Sequence, residues 1–216
     1  MYINSALFMQ ARLNSDRLPQ KALKPLAGKA SLLLAMQGLY GCADTHLLLT
    51  CSNSEAAFSP LAREAGYGLF IGDENDVLGR YAKAVSLYLP QWVIRATGDN
   101  TLVPKALVSR LLTLTVQANA DYGRFSDTPH GSGVEVIRAE ALLVANNEAV
   151  TAYQREHVCP FLYDNPARFK ILLPLAPAEW RYPHLRTTLD TPEDYNRLSQ
   201  FFTTKATLEE YILWST

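Results

Sequence analysis

The sequence predicts an α/β fold in three layers, a mostly parallel β-sheet covered by helices on both faces. Two observations predict it. Short apolar runs alternate with segments of helical spacing through four successive β-then-α units. The connections between them are short, which favours parallel strands joined by crossover helices. In such a sheet ligands gather at the carboxyl ends of the strands.

Residues 5–10 form an apolar run that ends abruptly in a polar, basic segment, as a buried strand delivering a loop does. Residues 31–40 read as a helix. Residues 46–51 (HLLLTC) are a second buried strand, and 54–65 carry helical apolar spacing closed by Gly66. A third strand follows at 67–71. From 73 to 88 the apolar residues Val77, Leu78, Tyr81, Ala82 and Val85 recur three or four apart, an amphipathic helix that Asp73 can cap. Residues 92–96 are a fourth buried strand ending at the polar turn 97–100, and 104–118 are helical.

Beyond Ala120 the pattern loosens. Turn formers crowd DYGRFSDTPHGSG, residues 134–137 alternate briefly, and 140–149 and 151–163 read as helices. The stretch 121–165 suits an acceptor-binding region, a lid or a subunit contact. Order returns with strands at 169–173 and 185–189, a helix opened by the capping sequence Thr191-Pro-Glu-Asp, and an apolar C-terminal helix ending Tyr211-Ile-Leu-Trp. No repeat or low-complexity linker interrupts the chain, and 216 residues suit one domain with a substantial core.

Composition excludes several function classes. Acidic residues number 21 against 20 basic ones, so no excess positive charge points to nucleic acid or an anionic membrane. Three cysteines without C-x-x-C spacing indicate neither a disulfide framework nor a zinc site, which suits a reducing compartment. The N-terminal apolar run is too short to span a bilayer and lacks a basic leader, so a cytoplasmic protein is expected.

The most informative segment is ARLNSDRLPQK, residues 11–21, which puts Arg12, Arg17 and Lys21 in one loop after the first strand. Three cations there need an anionic partner, and a nucleoside triphosphate suits them as charge shifts to a leaving pyrophosphate. Ser15 adds a hydroxyl donor, and Pro19 restricts the loop. On composition alone these are also solvated charges of a surface loop; their place after a buried strand favours phosphate. No G-x-x-x-x-G-K-[ST] occurs, which counts against a kinase or GTPase.

A second segment, RATGDNT, puts Asp99 at the same sheet edge. A carboxylate beside phosphates implies a divalent cation, and Mg²⁺ takes one or two protein carboxylates, so a second acid is needed. Asp190 in LRTTLDTPEDY is the candidate, with Asp194 facing solvent. Asp190 is also placed to cap the following helix, and Asp99 to serve as a turn residue after glycine.

The motifs AR..S.RLP.K, R.TGDN, REHV and LDTPEDY occur in this order and at comparable spacing in the cytidylyltransferases. From Gln10 to Tyr195 the chain resembles the spore coat polysaccharide biosynthesis protein F type, relatives of the synthetases of CMP-sialic acid and CMP-ketodeoxyoctonate. The combination with Asp76-Val-Leu-Gly-Arg-Tyr is specific. The resemblance implies a Rossmann-like (GT-A-like) nucleotidyltransferase fold, CTP as donor and Mg²⁺ as cofactor. A sugar or sugar-acid hydroxyl would attack the α-phosphate, releasing pyrophosphate, in a protein that is often a homodimer.

Carried over residue by residue, the resemblance sets Ala11, Arg12, Ser15, Arg17 and Lys21 at the triphosphate and base and Arg80 near the nucleotide. Arg12, Lys21 and Asp99 would be catalytic, and Asp99 and Asp190 would hold the metal. Pro129, Gly131 and Glu135 match a P.G...EV stretch that with Arg155, Glu156 and His157 borders the acceptor pocket. From the residues alone, Arg80 equally reads as a helix-surface cation paired with Asp76, worth about 0.2–0.5 kcal/mol. Arg155, Glu156 and His157 equally read as a cap or salt-bridge cluster.

Two departures stand out. Thr-Leu-Val-Pro follows Asn100 where relatives tend to have Pro-Leu-Ile-Asp-Pro, and Cys51 stands where serine is usual. The first removes an acid near the expected metal. Two other readings compete. A glycosyltransferase of related architecture would carry an acid-x-acid motif, but Asn100 and Thr101 follow Asp99. A nonenzymatic nucleotide-binding protein has only the altered segment after Asn100 in its favour, and both candidate metal acids against it.

Overall fold

The computed structural model describes residues 3–203 and 205–215. From the N-terminus, β1 (Ser5–Gln10) delivers the basic loop, which closes in a 3-10 turn (Lys21–Leu23) and a hairpin of β2 (Pro25–Leu26) and β3 (Lys29–Ala30). Then come α1 (Ser31–Leu39), β4 (Thr45–Cys51), α2 (Ser52–Ala65), β5 (Gly68–Gly72), α3 (Val77–Tyr88), β6 (Trp92–Thr97) and α4 (Lys105–Gln117). The second half adds β7 (Tyr122–Gly123), β8 (Glu135–Arg138), α5 (Ala139–Glu148), α6 (Ala152–His157), α7 (Pro160–Tyr163), β9 (Ile171–Leu172), α8 (Pro192–Phe201) and α9 (Leu208–Ser215).

Seven strands form one sheet in the order β5-β4-β1-β6-β8-β7-β9. β5, β4, β1 and β6 are parallel, β8 runs antiparallel to β6 and β7, and β9 is parallel to β7. The expected mostly parallel three-layer architecture is present. Strand alternation divides the core in two. Leu7 and Met9 of β1 face α1, α2, α4, α8 and α9, whereas Ala6 and Phe8 face α3 and α5. Among the described residues no helix is long and apolar enough to cross a membrane.

Four local expectations change. Asp76, not Asp73, caps α3, accepting from the Gly79 N–H; the Asp73 carboxylate accepts from the amides of Asn75 and Asp76 in the preceding turn. The helix expected over 151–163 is two helices, α6 and α7. Val158 between them has a φ of 71°, which turns the chain out of α6 before Cys159 caps α7. The strand expected at 169–173 shrinks to Ile171–Leu172. Residues 185–189 form isolated bridges, Arg186 with His130 and Thr188 with Asn100, because their amides are spent on loop carbonyls such as His130 and Asp99.

Candidate active site

A cleft of about 330 Å³ opens at the carboxyl ends of β1 and β6. Ala11, Arg12, Ser15, Arg17 and Lys21, the loop residues expected at a triphosphate, all line it. So do Arg80, the acid pair Asp99 and Asp190, and Glu156 and His157 from α6.

Neighbouring elements fix the loop. The Ala11 N–H donates to Leu49 at 3.2 Å, the Thr50 hydroxyl donates to the Ala11 carbonyl at 2.8 Å, and the Leu13 N–H donates to the Ser54 hydroxyl at 2.9 Å. At the far end, the Ser31 hydroxyl, in the first turn of α1, donates to the Lys21 carbonyl at 2.7 Å. The loop backbone is therefore held by β4, α2 and α1. Gly98 makes room for it. A Cβ there would sit 2.6 Å from Leu32 Cδ1 and 3.1 Å from the Ala11 Cβ, so a larger residue would push on Leu32 and on the start of the loop.

The two acids meet on one cation. Lys21 Nζ donates to Asp99 at 2.7 Å and to Asp190 at 3.0 Å. Arg17 reaches Asp190 at 2.6 Å, and Arg186 approaches it at 3.6 Å. Backbone pairing explains the convergence: the Leu189 N–H donates to the Asp99 carbonyl at 2.9 Å, beside the Asn100–Thr188 bridge. Asp190 is not the cap of α8. Thr191 is, in a capping box with Asp194. Asp194 does not face solvent as expected; it is 2 % exposed and paired with Arg186 and Arg197.

Two carboxylates whose oxygens converge on a bound ammonium fit a divalent ion. Among the described residues no group of three or more His, Cys, Asp or Glu assembles. A divalent ion at that point would find two protein carboxylates, Asp99 and Asp190.

Arg80 is not the surface partner of Asp76. It is 3 % exposed, donates to the Asp73 carbonyl at 3.1 Å, and its Nε has no hydrogen-bond partner in the structure. Burial pushes its guanidinium below the ordinary value. A buried cation with an unmet donor on a cleft wall suits an anionic ligand.

Four of the residues expected to border the acceptor pocket, Pro129, Gly131, Glu135 and Arg155, lie outside the cleft lining. Arg155 turns to α3, gripping Asp76 through Nε at 2.7 Å and again through Nη2, and reaches Asn146 of α5. Glu135 is paired with Arg95 across β6 and β8 and accepts from the Tyr122 hydroxyl at 2.5 Å. Burial, reinforced by the Glu135 charge, pushes the Tyr122 phenol well above its usual range. Gly131 adopts a φ of 97° against Thr188, whose amide a Cβ would approach to 2.3 Å; it secures the segment leading to Asp190.

Sequence reasoning missed Glu74, which lines the cleft; Gln10, expected at the head of the triphosphate loop, lines it too and accepts from Arg95 Nε at 3.1 Å. The signal for Gln10 was a polar residue ending an apolar strand.

The cytidylyltransferase family profile matches residues 6–214. Over 209 residues the chain is 29 % identical to the spore coat polysaccharide biosynthesis protein SpsF of Bacillus subtilis (strain 168), covering 93 % of this chain and 87 % of that one. An uncharacterized protein of Methanocaldococcus jannaschii is 32 % identical over 190 residues, covering 87 % of this chain and 78 % of its own length. A cytidylyltransferase from Leptospira borgpetersenii superposes with a TM-score of 0.89 at 24 % identity, covering 99 % and 93 % of the two chains. A CMP:2-keto-3-deoxy-manno-octonic acid synthetase complexed with CTP gives 0.68 at 13 % identity, covering 91 % and 97 %. The chain belongs to the cytidylyltransferase family and is a nucleotidyltransferase.

Proposed function

We propose that this enzyme transfers CMP from CTP to a hydroxyl of a sugar or sugar acid in surface polysaccharide biosynthesis, such as that of a spore coat, with release of pyrophosphate. The supporting observation is the meeting of Arg12, Arg17 and Lys21 with Asp99 and Asp190 in one cleft. The family supports cytidine, and the likeness to a CMP:2-keto-3-deoxy-manno-octonic acid synthetase supports a sugar acid.

In the proposed reaction the acceptor oxygen forms a bond to the α-phosphorus, and the bond from that phosphorus to the oxygen bridging to the β-phosphate breaks. The hydroxyl proton leaves to solvent or a nearby base, and pyrophosphate carries away the negative charge. Arg12, Arg17 and Lys21 would hold phosphate oxygens as that charge shifts, with Ser15 and the Ala11 backbone completing the cradle. Arg80 would supply its free Nε to an anionic oxygen. Asp99 and Asp190 would hold Mg²⁺, which supplies charge neutralisation at the phosphates when bound. Positioning and electrostatics do most of the work in such transfers.

Glu156 and His157 on the opposite wall would meet the acceptor. Gly131, Glu135 and Arg155 would serve that pocket from behind, by holding the segments that form it. The proposed assembly is a homodimer in the cytoplasm. Leu213 and Trp214 of α9, which project into solvent, support a contact there, and sedimentation velocity tests it.

The deciding experiment measures pyrophosphate release with each of the four ribonucleoside triphosphates across a panel of sugar acids and sugar phosphates. CTP-dependent release with a sugar acid is expected. Release with no nucleotide, or with another nucleotide in preference to CTP, would overturn the assignment.

A further inference from the structure

The carboxylates lining the cleft outnumber its cations. Arg12, Arg17, Lys21 and Arg80 face Asp16, Glu74, Asp99, Glu156 and Asp190. Three of the four cations are already engaged: Arg12 with Glu156 at 3.7 Å, Arg17 with Asp190 at 2.6 Å, and Lys21 with both Asp99 and Asp190. These are the same cations that a triphosphate needs.

Each component of the ligand therefore faces a penalty when it enters alone. A triphosphate without metal must strip the cations from their carboxylates and leave those acids unpaired beside its own negative charge. A divalent ion without triphosphate must displace the Lys21 ammonium from the point where Asp99 and Asp190 meet, leaving the loop cations uncompensated. When both enter, the exchange nearly balances. The cations pass to phosphate oxygens, the two aspartates pass to the metal, and only Glu156 is left without its cation.

We propose that Asp99 and Asp190 are specificity-determining counterions, standing in for phosphate oxygens in the ligand-free enzyme so that the cleft selects the metal–triphosphate complex over either part, while Glu156 is a third counterion that only competes with phosphate for Arg12. This rests on the proposed placement of a triphosphate in the cleft. Glu156 differs from the aspartates. It neutralises Arg12 without facing the Lys21 position, so it competes with phosphate while taking no part in metal binding.

That difference sets the signs of the test. CTP binding is measured by calorimetry in EDTA and in Mn²⁺, and Mn²⁺ alone is titrated by the electron paramagnetic resonance signal of the free ion. For the wild type, Mn²⁺ is expected to tighten CTP binding at least about fivefold, and CTP to tighten Mn²⁺ binding by the same factor. Glu156→Gln, at an exposed pair, should bind CTP about two- to fivefold more tightly in both conditions. Asp190→Asn should bind CTP more tightly than wild type in EDTA and more weakly in Mn²⁺. Lys21→Met should bind Mn²⁺ alone more tightly and CTP more weakly. Arg17→Gln repeats the Lys21 pattern with little risk to folding, since the Arg17 side chain is 71 % exposed.

CTP binding that Asp190→Asn and Glu156→Gln leave no tighter in EDTA would overturn the inference. So would Mn²⁺ binding that Lys21→Met and Arg17→Gln leave no tighter. Wild type that binds no CTP under any condition overturns the proposed function as well, which separates the two failures.

Discussion

Asp190 and Asp194 lie one helical turn apart in sequence, yet the structure gives them different work. Asp194 is a buried carboxylate kept charged. Burial alone would raise its pKa, but hydrogen bonds from Arg186 at 2.9 Å and Arg197 at 2.6 Å, with their charges, outweigh that and bring it to about 2. The folded value lies below the unfolded value of about 3.9. Its stabilisation is therefore complete above about pH 4 and is lost as pH falls toward 2. Asp194→Asn should lower the unfolding free energy by roughly 2–3 kcal/mol at pH 7, and the gap from wild type should narrow toward pH 2, as read by urea denaturation. Asp99 presents the opposite case. It is partly exposed and pairs with Lys21. Asp99→Asn should cut Mg²⁺-dependent turnover by about a hundredfold or more while the melting temperature barely moves. A collapse of folding would show instead that Asp99 holds the turn. The inward turn of Asp194 was legible in principle, because Thr191 followed three residues later by an acid is a capping box that draws that acid toward the helix start.

At the scale of elements, α6 is a short helix whose wall position depends on one side chain. None of its residues is fully buried, so apolar packing does little to hold it. Arg155 supplies the hold, binding the cap of α3 through Asp76 and the end of α5 through Asn146. Arg155→Ala should speed amide hydrogen exchange across residues 152–157, raise KM for the acceptor more than for CTP, and cost about 1 kcal/mol of stability. Arg155→Lys should not restore these, since lysine cannot reproduce the two-pronged grip on Asp76. Unchanged exchange in α6 would refute the anchoring role. The sequence motif Arg-Glu-His-Val lies on α6 and its end, with Glu156 and His157 lining the cleft. It could not say that its first member points away from the cleft while the next two point in, because that depends on how α6 docks on α3. The break between α6 and α7 was not readable from Pro160, since Cys159 directly before it keeps a helical conformation; the chain turns at Val158, whose φ is 71°.

For the whole molecule, the parallel half of the sheet was legible because its strands are apolar-rich runs of five to seven residues alternating with helices, largely buried in β1, β4 and β6 and only partly covered at the edge in β5. The other half was not. β7 and β9 are two residues each, and β8 pairs with β6 about 40 positions earlier, so local pattern carries little of that pairing. The site has the same division. The basic loop and Asp99 follow from strand ends, whereas Asp190 arrives by a long-range bridge between Asn100 and Thr188. The cleft therefore ties three distant stretches together, residues 11–21, 97–99 and 188–190. A ligand spanning them should stabilise the molecule as one unit. With Mg²⁺ and CTP at about 100 times Kd, the unfolding free energy should rise by about 2.7 kcal/mol. Tryptophan fluorescence, which reports from Trp92 in β6, Trp180 and Trp214 in α9, should then shift together with far-UV circular dichroism through a single transition. Were the C-terminal segment to unfold separately, the two signals would part and only one would move with ligand. In that case Asp190 would belong to a docked appendage, and metal binding would itself be a docking step, visible as a ligand-dependent merging of two transitions.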